Sequence, residues 1–459
     1  MSSTTYIKEA ELTSFEQRGK YTVGVVNCER IGVLHACLFA NAGFKVICAD
    51  ANPVMVENIS RGKVFFLKNE VEPIIRKHLN EGTIKVTNDL KIAVSQSEIV
   101  IVAVPASVNE KGKVDYSNFE RALKQVGSNI RKGTLITIIS MVKIGATETV
   151  LRETLEVVSG IKAGLDFFLA YSPILFPERQ TLETLANYKR TVAALDKNSL
   201  EIASAVLGTI TKAGVVKTDN IKAAEALTIF EAMHEYANKA LANEFAFYCE
   251  KTGVDYLKVQ SLAKANASTT ISQPTISCEN GSEAVYAFLE DAENLNLKLK
   301  VSEAATETNA EVLKHAVGSI RDALKSCGKT LRRAKILIMG ASQTPNAIDI
   351  PKNSLKKLTE MLETKGAKIN IYDPYLPSRT SMELKHASLK KSLTEAVESV
   401  DCIVILTGHD QFKRLNLRKM KLIAKMPAAI VDFECAIDPN KAEAEGFLYR
   451  GLGRGVWTK

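Results

Sequence analysis

Glycine is scarce in this chain, at 25 of 459 residues. That is about 5%, where roughly 7% is usual in soluble proteins. Metal-binding motifs are missing as well, because the eight cysteines form no C-x-x-C pair and have no neighbouring histidine pair. We therefore expect no metal site. Several cysteines lie within apolar runs, as small core residues of a reduced protein do.

Long apolar runs and a strong excess of one charge are also missing. No stretch approaches the roughly 18 consecutive apolar residues of a membrane-spanning helix, and residues 1–6 are polar, unlike a signal peptide. We therefore expect a cytoplasmic protein that does not enter the membrane. The net charge of +8 comes from 60 basic and 52 acidic residues in short clusters. This pattern favours an ordinary solvated surface over a nucleic-acid site.

The chain does contain an alternation of short β-branched runs with helical segments. A strand pattern at 21–26, a helical pattern at 32–43 and a second strand pattern at 45–50 make a βαβ unit, which predicts a parallel sheet. The alternation pauses for a helical pattern of about 30 residues that begins near Asp219, and later resumes. The predicted fold class is α/β, with two Rossmann-like doubly wound domains joined by a long central helix.

The same pattern predicts where the domains begin and end. We expect a polar lead-in at 1–20, a Rossmann-like domain at 21–212, a central helical domain at 213–325 and a second Rossmann-like domain at 326–459.

The first βα turn of a parallel sheet is where a nucleotide phosphate binds, and here it reads Asn-Cys-Glu-Arg-Ile-Gly at 27–32. A dinucleotide site carries three glycines in this turn, and only the third, Gly32, is present. Asn27 tolerates the backbone angles of the first glycine, whereas Glu29 brings a negative charge to the place of the phosphates. Asp50 ends the second strand, where it can bind ribose hydroxyls. Gly32 and Asp50 alone are weak evidence for a dinucleotide site. A glycine that only packs a helix on a strand, and an aspartate that only forms a turn, would give the same residues.

Five specific strings occur along the chain: LHACLFANAGFKVICAD at 34–50, AYSP at 170–173, YDPY at 372–375, TGHDQF at 407–412 and YRGLG at 449–453. They carry a resemblance, from about Tyr21 to Gly453, to the UDP-glucose/GDP-mannose dehydrogenase family. It implies NAD as cofactor and the oxidation of a UDP-sugar CH2OH group to the carboxylate. It also implies an NAD-binding-type domain at 21–212, a dimerisation domain at 213–325 and a nucleotide-sugar-binding-type domain at 326–459.

The resemblance further implies catalytic positions, and most are substituted here. In the family, a Lys and an Asn one turn apart on the central helix polarise the reacting oxygen, and those positions fall on Thr228 and Ala232. The position of the nucleophilic cysteine falls on Asn280. Cys278 takes that role only with a small insertion or deletion in the loop, and Glu178 supplies the family glutamate only with a compensated insertion.

The cofactor contacts implied by the resemblance are Arg30, Ile31, Gly32, Asp50, Ala106 and Ser140. Ala106 stands where the family has a threonine after Val-Pro. The nucleotide-sugar site is altered too, because the family's Phe-Lys pair falls on Ser342-Gln343 and an arginine falls on Glu434.

Three functions are compatible with these substitutions. The chain is an active dehydrogenase with a displaced site, an inactive relative that acts as a scaffold or regulatory partner of an active paralogue, or a nucleotide-binding protein without chemistry. The residues favour impaired or absent activity, because glycine is lost at 27–32 and 275–280, where backbone should approach the ligand. We expect a homodimer around the central helix or a heterodimer with an active paralogue.

Overall fold

A computed structural model describes residues 7–64, 66, 68–108, 113–174, 181–266, 271–277, 282–348, 351–376 and 387–457. The chain divides into two units. The first comprises Met1–Met233 and Glu283–Lys298, and the second comprises His234–Ser282 and Leu299–Lys459. The domain boundaries drawn from the sequence stay a prediction.

Ten strands belong to the described part of the first unit. They are Thr22–Val26 (β1), Lys45–Ala49 (β2), Ile84–Thr87 (β3), Ile99–Val102 (β4), Ser107–Val108 (β5), Val114–Asp115 (β6), Leu135–Ile138 (β7), Phe168–Tyr171 (β8), Arg190–Ala194 (β9) and Val215–Thr218 (β10). Strands β5 and β6 form a separate antiparallel pair, and the other eight form one sheet in the order β10-β9-β8-β7-β4-β1-β2-β3. All residues of β4 and β7 are buried, as in a sheet covered on both faces.

The predicted parallel pairing is confirmed from β3 through β8, where every neighbouring pair of strands is parallel. Strand β9 corrects the prediction, because it runs antiparallel to β8. Four of the five residues of β9 are buried, much as in the parallel strands, and burial carries no information on strand direction. Because β9 is reversed, its first residue, Arg190, lies at the sheet edge where β1, β4, β7 and β8 end.

The second unit contains six described strands in one parallel sheet. They are Lys335–Met339 (β11), Lys368–Tyr372 (β12), Ser388–Leu389 (β13), Cys402–Ile405 (β14), Ala429–Asp432 (β15) and Leu448–Gly451 (β16). Their order is β13-β12-β11-β14-β15-β16. This is the doubly wound order 3-2-1-4-5-6, and the first sheet has the same order before β9 and β10 extend it. The predicted fold class is confirmed.

Eighteen α-helices accompany these strands in the described residues. They are Glu9–Leu12 (α1), Phe15–Arg18 (α2), Arg30–Asn41 (α3), Pro53–Ser60 (α4), Lys68–Asn80 (α5), Leu90–Ser95 (α6), Ser117–Gly127 (α7), Arg152–Ser159 (α8), Leu182–Ala186 (α9), Lys197–Gly208 (α10), Ile221–Thr252 (α11), Tyr256–Ala265 (α12), Ser282–Asn294 (α13), Lys300–Ser326 (α14), Asn353–Thr364 (α15), Leu393–Val397 (α16), Leu417–Ile423 (α17) and Pro439–Ala444 (α18). A π-helical turn, Thr147–Leu151, precedes α8, and 3-10 turns occupy Phe412–Arg414 and Gly455–Trp457.

The long central helix predicted from the sequence is α11, which has 32 residues. It begins after Asn220, whose side-chain oxygen accepts the backbone N–H of Ala223 at 2.9 Å. It ends before Gly253, whose backbone adopts a left-handed conformation with φ of 73°.

A buried polar pair joins α3 to β9 inside the first unit. The Nδ1 atom of His35 lies 2.7 Å from the carbonyl oxygen of Ile31, and its Nε2 atom lies 2.9 Å from Nη2 of Arg190. Arginine can only donate, so Nε2 accepts and the ring proton is on Nδ1. Burial and then the nearby Arg190 charge lower the pKa of His35 to about 3, which keeps the ring neutral. Both side chains are almost fully buried.

Among the described residues, no helix is long and apolar enough to cross a membrane.

Candidate functional site

The turn after β1 keeps the backbone shape of a dinucleotide-binding turn despite its missing glycines. Asn27 has a φ of 78°, the left-handed conformation that a first glycine usually supplies. A Cβ atom added to Gly32 would lie 1.9 Å from the carbonyl oxygen of Asn27. The third glycine is therefore required, because α3 begins too close to the turn to leave room for a side chain.

Asp50, directly after β2, holds this turn in place. Its Oδ2 atom accepts the backbone N–H of Cys28 at 2.7 Å, and its Oδ1 atom accepts the N–H of Asn52 at 2.8 Å. The carboxylate is 7% exposed. Each carboxylate oxygen has a second lone pair, so the predicted ribose contact remains compatible with these hydrogen bonds.

Glu29 is the residue that opposes a phosphate at this turn. It precedes the first residue of α3, and its own N–H donates to the side-chain oxygen of Asn27 at 3.1 Å. The side chain remains exposed. Partial desolvation and then the charge of Asp50 raise the pKa of Glu29. Desolvation and the charge of Asp50 thus both disfavour the charged form of Glu29.

The other predicted cofactor contacts lie at the same edge of the first sheet. Arg30, Ile31 and Gly32 are the first residues of α3, and the Arg30 guanidinium carbon lies 5.3 Å from the centre of the Phe66 ring. Ala106 follows β4 and Ser140 follows β7, two strands that are neighbours in the sheet. The hydroxyl of Ser140 donates to the carbonyl oxygen of Val102 at 3.2 Å. The structure thus brings these positions together, and their cofactor roles stay predictions.

Glu225 attaches the beginning of α11 to the loop that follows β7. Its Oε1 atom accepts the backbone N–H of Thr147 at 2.8 Å, and its Oε2 atom accepts the N–H of Gly145. The side chain is fully buried, and desolvation raises the pKa of its carboxyl. The first turns of α11 are therefore held against the carboxyl end of the sheet.

The two positions on α11 at which the resemblance implies catalytic residues lie one turn apart, and both are buried. Thr228 is 3% exposed and donates its hydroxyl to the carbonyl oxygen of Ala224 at 3.3 Å. Ala232 is 8% exposed. Neither residue brings a charge or an amide to its position, so α11 offers no cation here for a developing oxyanion.

Three further predicted positions, Cys278, Asn280 and Glu178, lie outside the described residues.

A group of polar residues that the sequence analysis missed lies near Thr228, and we call it the polar cluster: Tyr116, Lys143, Tyr171 and Glu290. The Nζ atom of Lys143 lies 3.6 Å from Oε1 of Glu290 and 5.9 Å from the centre of the Tyr116 ring. The hydroxyls of Tyr171 and Thr228 are neighbours. Burial and then the charges of Glu290 and a nearby aspartate raise the pKa of Tyr116 to about 12.

The polar cluster was missed because its members are far apart in the chain. A detectable signal does exist, since Tyr171 ends β8 and Lys143 follows β7 by five residues. Ligand-binding residues of parallel sheets concentrate after such strand ends. Glu290 lies within α13, and no sequence pattern connects it to the others.

In the second unit, a similar network holds the turn after β11. The Oδ2 atom of Asp373, after β12, accepts the backbone N–H of Ser342 at 2.8 Å and lies 3.1 Å from Nε2 of His409. Nδ1 of His409 accepts the N–H of Asn346 at 2.9 Å, which places the ring proton on Nε2. The Ser342 hydroxyl contacts the same Nε2 atom at 3.3 Å. A nucleophilic triad needs its serine and aspartate on opposite nitrogens, so this network is structural.

Comparison with known families agrees with both halves of this description. Residues 21–211 match the NAD binding domain of the UDP-glucose/GDP-mannose dehydrogenase family, and residues 337–439 match its UDP binding domain. The chain belongs to this family. The resemblance stated from the sequence is therefore confirmed.

Individual relatives match this family member over nearly their whole length. UDP-N-acetyl-D-mannosamine dehydrogenase of Pyrococcus horikoshii is 26% identical over 94% of this chain and 99% of that protein. UDP-glucose 6-dehydrogenase TuaD of Bacillus subtilis is 23% identical over 94% of this chain and 93% of that protein. A solved structure of the P. horikoshii UDP-D-ManNAc dehydrogenase has a TM-score of 0.85, 24% identity and coverage of 95% of this chain and 100% of that chain.

NAD is the cofactor of this dehydrogenase-family chain, because the matched first domain is the family's NAD binding domain. The turn after β1 fits the cofactor in its backbone, since Asn27 and Gly32 adopt the required close geometry. The first N–H groups of α3, at Arg30 and Ile31, would hold the pyrophosphate at the positive end of the helix. The exposed Glu29 carboxylate of the turn acts against this anion.

Proposed function

We propose that this nucleotide-sugar dehydrogenase family protein binds NAD and a UDP-sugar but is catalytically impaired in oxidising the sugar. The observation that carries the proposal is the pair of buried side chains on α11, at Thr228 and Ala232. A threonine hydroxyl bonded to its own helix and an alanine methyl group stand where the resemblance implies an ammonium and an amide.

The size of the impairment follows from the chemistry of hydride transfer. The alcohol oxygen gains negative charge as hydride leaves the carbon, and a fixed donor at that oxygen stabilises the transition state. The loss of one such donor typically costs about 10²–10³ in rate, so two independent losses cost about 10⁴–10⁶. The second oxidation also needs a nucleophile, and Asn280 cannot supply one. Cys278 and Glu178 remain the residues through which a displaced site would act.

A surface on α11 supports the alternative role as a non-catalytic scaffold or regulatory partner of an active paralogue. Leu241, Phe245 and Tyr248 are 46%, 45% and 70% exposed, and their spacing of four and three residues places them on one helical face. Exposed aromatic and aliphatic side chains in one row are typical of subunit contacts. We propose a homodimer through this face, or a heterodimer with an active paralogue.

We also propose a cytoplasmic location, because the seven described cysteines are all free thiols, as in a reducing compartment.

The catalytic proposal is tested by following NADH formation at 340 nm with UDP-glucose and UDP-N-acetylmannosamine. We expect no steady production above about 10⁻⁴ of a typical turnover of roughly 10 per second. Calorimetric titration with NAD checks binding separately. Sustained NADH formation that is lost in Cys278→Ala would contradict the proposal and establish a displaced active site.

A further inference from the structure

The guanidinium of Arg190 is buried and has more hydrogen-bond donors than acceptors around it. The side chain is 1% exposed, and its Nη2 atom donates to Nε2 of His35 at 2.9 Å. The Nε and Nη1 atoms, which carry three of the five N–H groups, have no hydrogen-bond partner among the described residues. Buried donors without an acceptor cost free energy, so these N–H groups indicate a site that another species satisfies.

The positive charge of Arg190 also lacks a counter-charge. Burial lowers the pKa of Arg190 to about 10, which still leaves the guanidinium protonated at neutral pH. No acidic side chain of the described part of the chain pairs with it. His35 does not help, because its ring is neutral. A buried charge is costly unless an opposite charge accompanies it.

The ionisable groups around the pair do not supply this charge. Glu70 lies on α5, which packs against α3, but its Oε1 atom accepts the backbone N–H of Leu182 at 2.7 Å. This hydrogen bond attaches Glu70 to the beginning of α9 rather than to Arg190. Tyr188 is the ionisable group whose charge would favour that of Arg190, and a phenol is neutral at neutral pH.

The charge and the donors together decide what kind of ligand fits. Free N–H groups and a positive charge exclude a cation. A water molecule would accept hydrogen bonds but would leave the charge uncompensated. One guanidinium is balanced by one negative charge, and a buried site favours an ion that loses its hydration readily. A small monovalent anion meets these conditions better than a phosphate or a sulfate does.

We propose that Arg190 and His35 form a buried binding site for a small monovalent inorganic anion such as chloride. The anion accepts N–H groups of the guanidinium and compensates its charge, while Nε2 of His35 fixes the orientation of the guanidinium. His35 belongs to α3 and Arg190 to β9, so the bound anion stabilises the contact between this helix and the reversed strand. The inference does not depend on the proposed function, because no step of the dehydrogenase reaction uses this pair.

The test compares melting temperatures of the full chain in sodium chloride and in sodium gluconate of equal ionic strength. Gluconate is too large for the buried site. For a dissociation constant of about 10 mM, raising chloride from about 10 to about 300 mM should raise the melting temperature by about 3–6 °C relative to gluconate. Arg190→Met should lose this difference, because its side chain has no charge and no donor.

Arg131→Met is the matched control. Arg131 lies in the same unit, is 47% exposed and pairs with Glu98 at 3.3 Å, so its loss should leave the chloride effect unchanged. Equal melting temperatures of the wild type in the two salts, or the same chloride effect in Arg190→Met, would overturn the anion site.

Crystals of the wild type grown in sodium bromide test the site without any substitution, and they decide the question if Arg190→Met does not fold. We expect an anomalous scattering peak within about 3.5 Å of Nε or Nη1 of Arg190. A map with no such peak at the guanidinium, or with a water molecule there instead, would contradict the proposal.

Discussion

Substitution of Gly32 by alanine tests whether the turn after β1 still has the close packing of a cofactor site. The added Cβ would lie 1.9 Å from the carbonyl oxygen of Asn27, 3.1 Å from its carbonyl carbon and 3.3 Å from Cγ1 of Val25. Real Cβ atoms essentially never approach within 3.0 Å of such atoms. Because this oxygen belongs to the backbone, no side-chain rotation can relieve the contact. The turn and α3 must instead separate by about 1 Å.

The cost of this separation should be large for a single methyl group. Forced overpacking usually costs about 1–3 kcal/mol, and displacement of backbone places Gly32→Ala at the upper end of that range. For a unit of this size, about 3 kcal/mol corresponds to a fall in melting temperature of roughly 6–12 °C. NAD affinity should fall as well, because the N–H groups at the start of α3 move with the helix.

Differential scanning calorimetry and NAD titration measure the two effects. Gly208→Ala, in α10 of the same unit, is the control, because its Cβ would meet Val215 Cγ2 at 3.9 Å, an ordinary contact. That control should be neutral or slightly stabilising. If Gly32→Ala costs less than about 1 kcal/mol and binds NAD like the wild type, the close packing inferred at this turn is wrong.

Three further predictions concern buried or repelling charges. Glu29→Gln should tighten NAD binding about fivefold in low salt and less in high salt, because it removes an exposed negative charge that costs about 1 kcal/mol beside the negative pyrophosphate. Equal NAD affinities of wild type and variant across a salt series would refute this. Glu225→Ala should lower the free energy of unfolding by about 2–6 kcal/mol, since the two N–H groups it accepts are left buried without partners. Glu148→Ala should have little effect, because Glu148 is only half-buried and makes a long ion pair of 3.9 Å with Lys222. The folded state keeps His35 neutral with a pKa of about 3, while the unfolded chain binds a proton below its ordinary value of 6.5. Stability should therefore fall as pH drops from 6.5 towards 3, and melting curves of His35→Gln, which cannot titrate, should lose this component.

Much of the fold could be predicted because local patterns decide local structure. The run Tyr21–Val26 contains β1, and the helical pattern from Asp219 contains most of α11, since burial on both faces requires continuous apolar residues. The reversal of β9 could not be predicted in this way. Strand direction depends on how the chain returns to the sheet, and apolar periodicity is identical in either direction.

The candidate site could likewise be predicted only in part. The positions of Gly32, Asp50 and Thr228 could be recognised because they occupy fixed places after a strand or along a helix. The sequence also identified Glu29 as a charge opposed to phosphate. The sequence indicated that Asn27 tolerates the backbone angles of the missing glycine, and the structure shows that Asn27 adopts them.

The amino-acid sequence by itself determined the family and the α/β class, because short contiguous strings of residues are sufficient to recognise both. Only the tertiary structure joined Tyr116, Lys143, Tyr171 and Glu290, and only it paired His35 with Arg190. These contacts connect residues separated by tens to more than a hundred positions. Folding brings them together through the order of strands in the sheet, and that order is a property of the whole chain rather than of any segment.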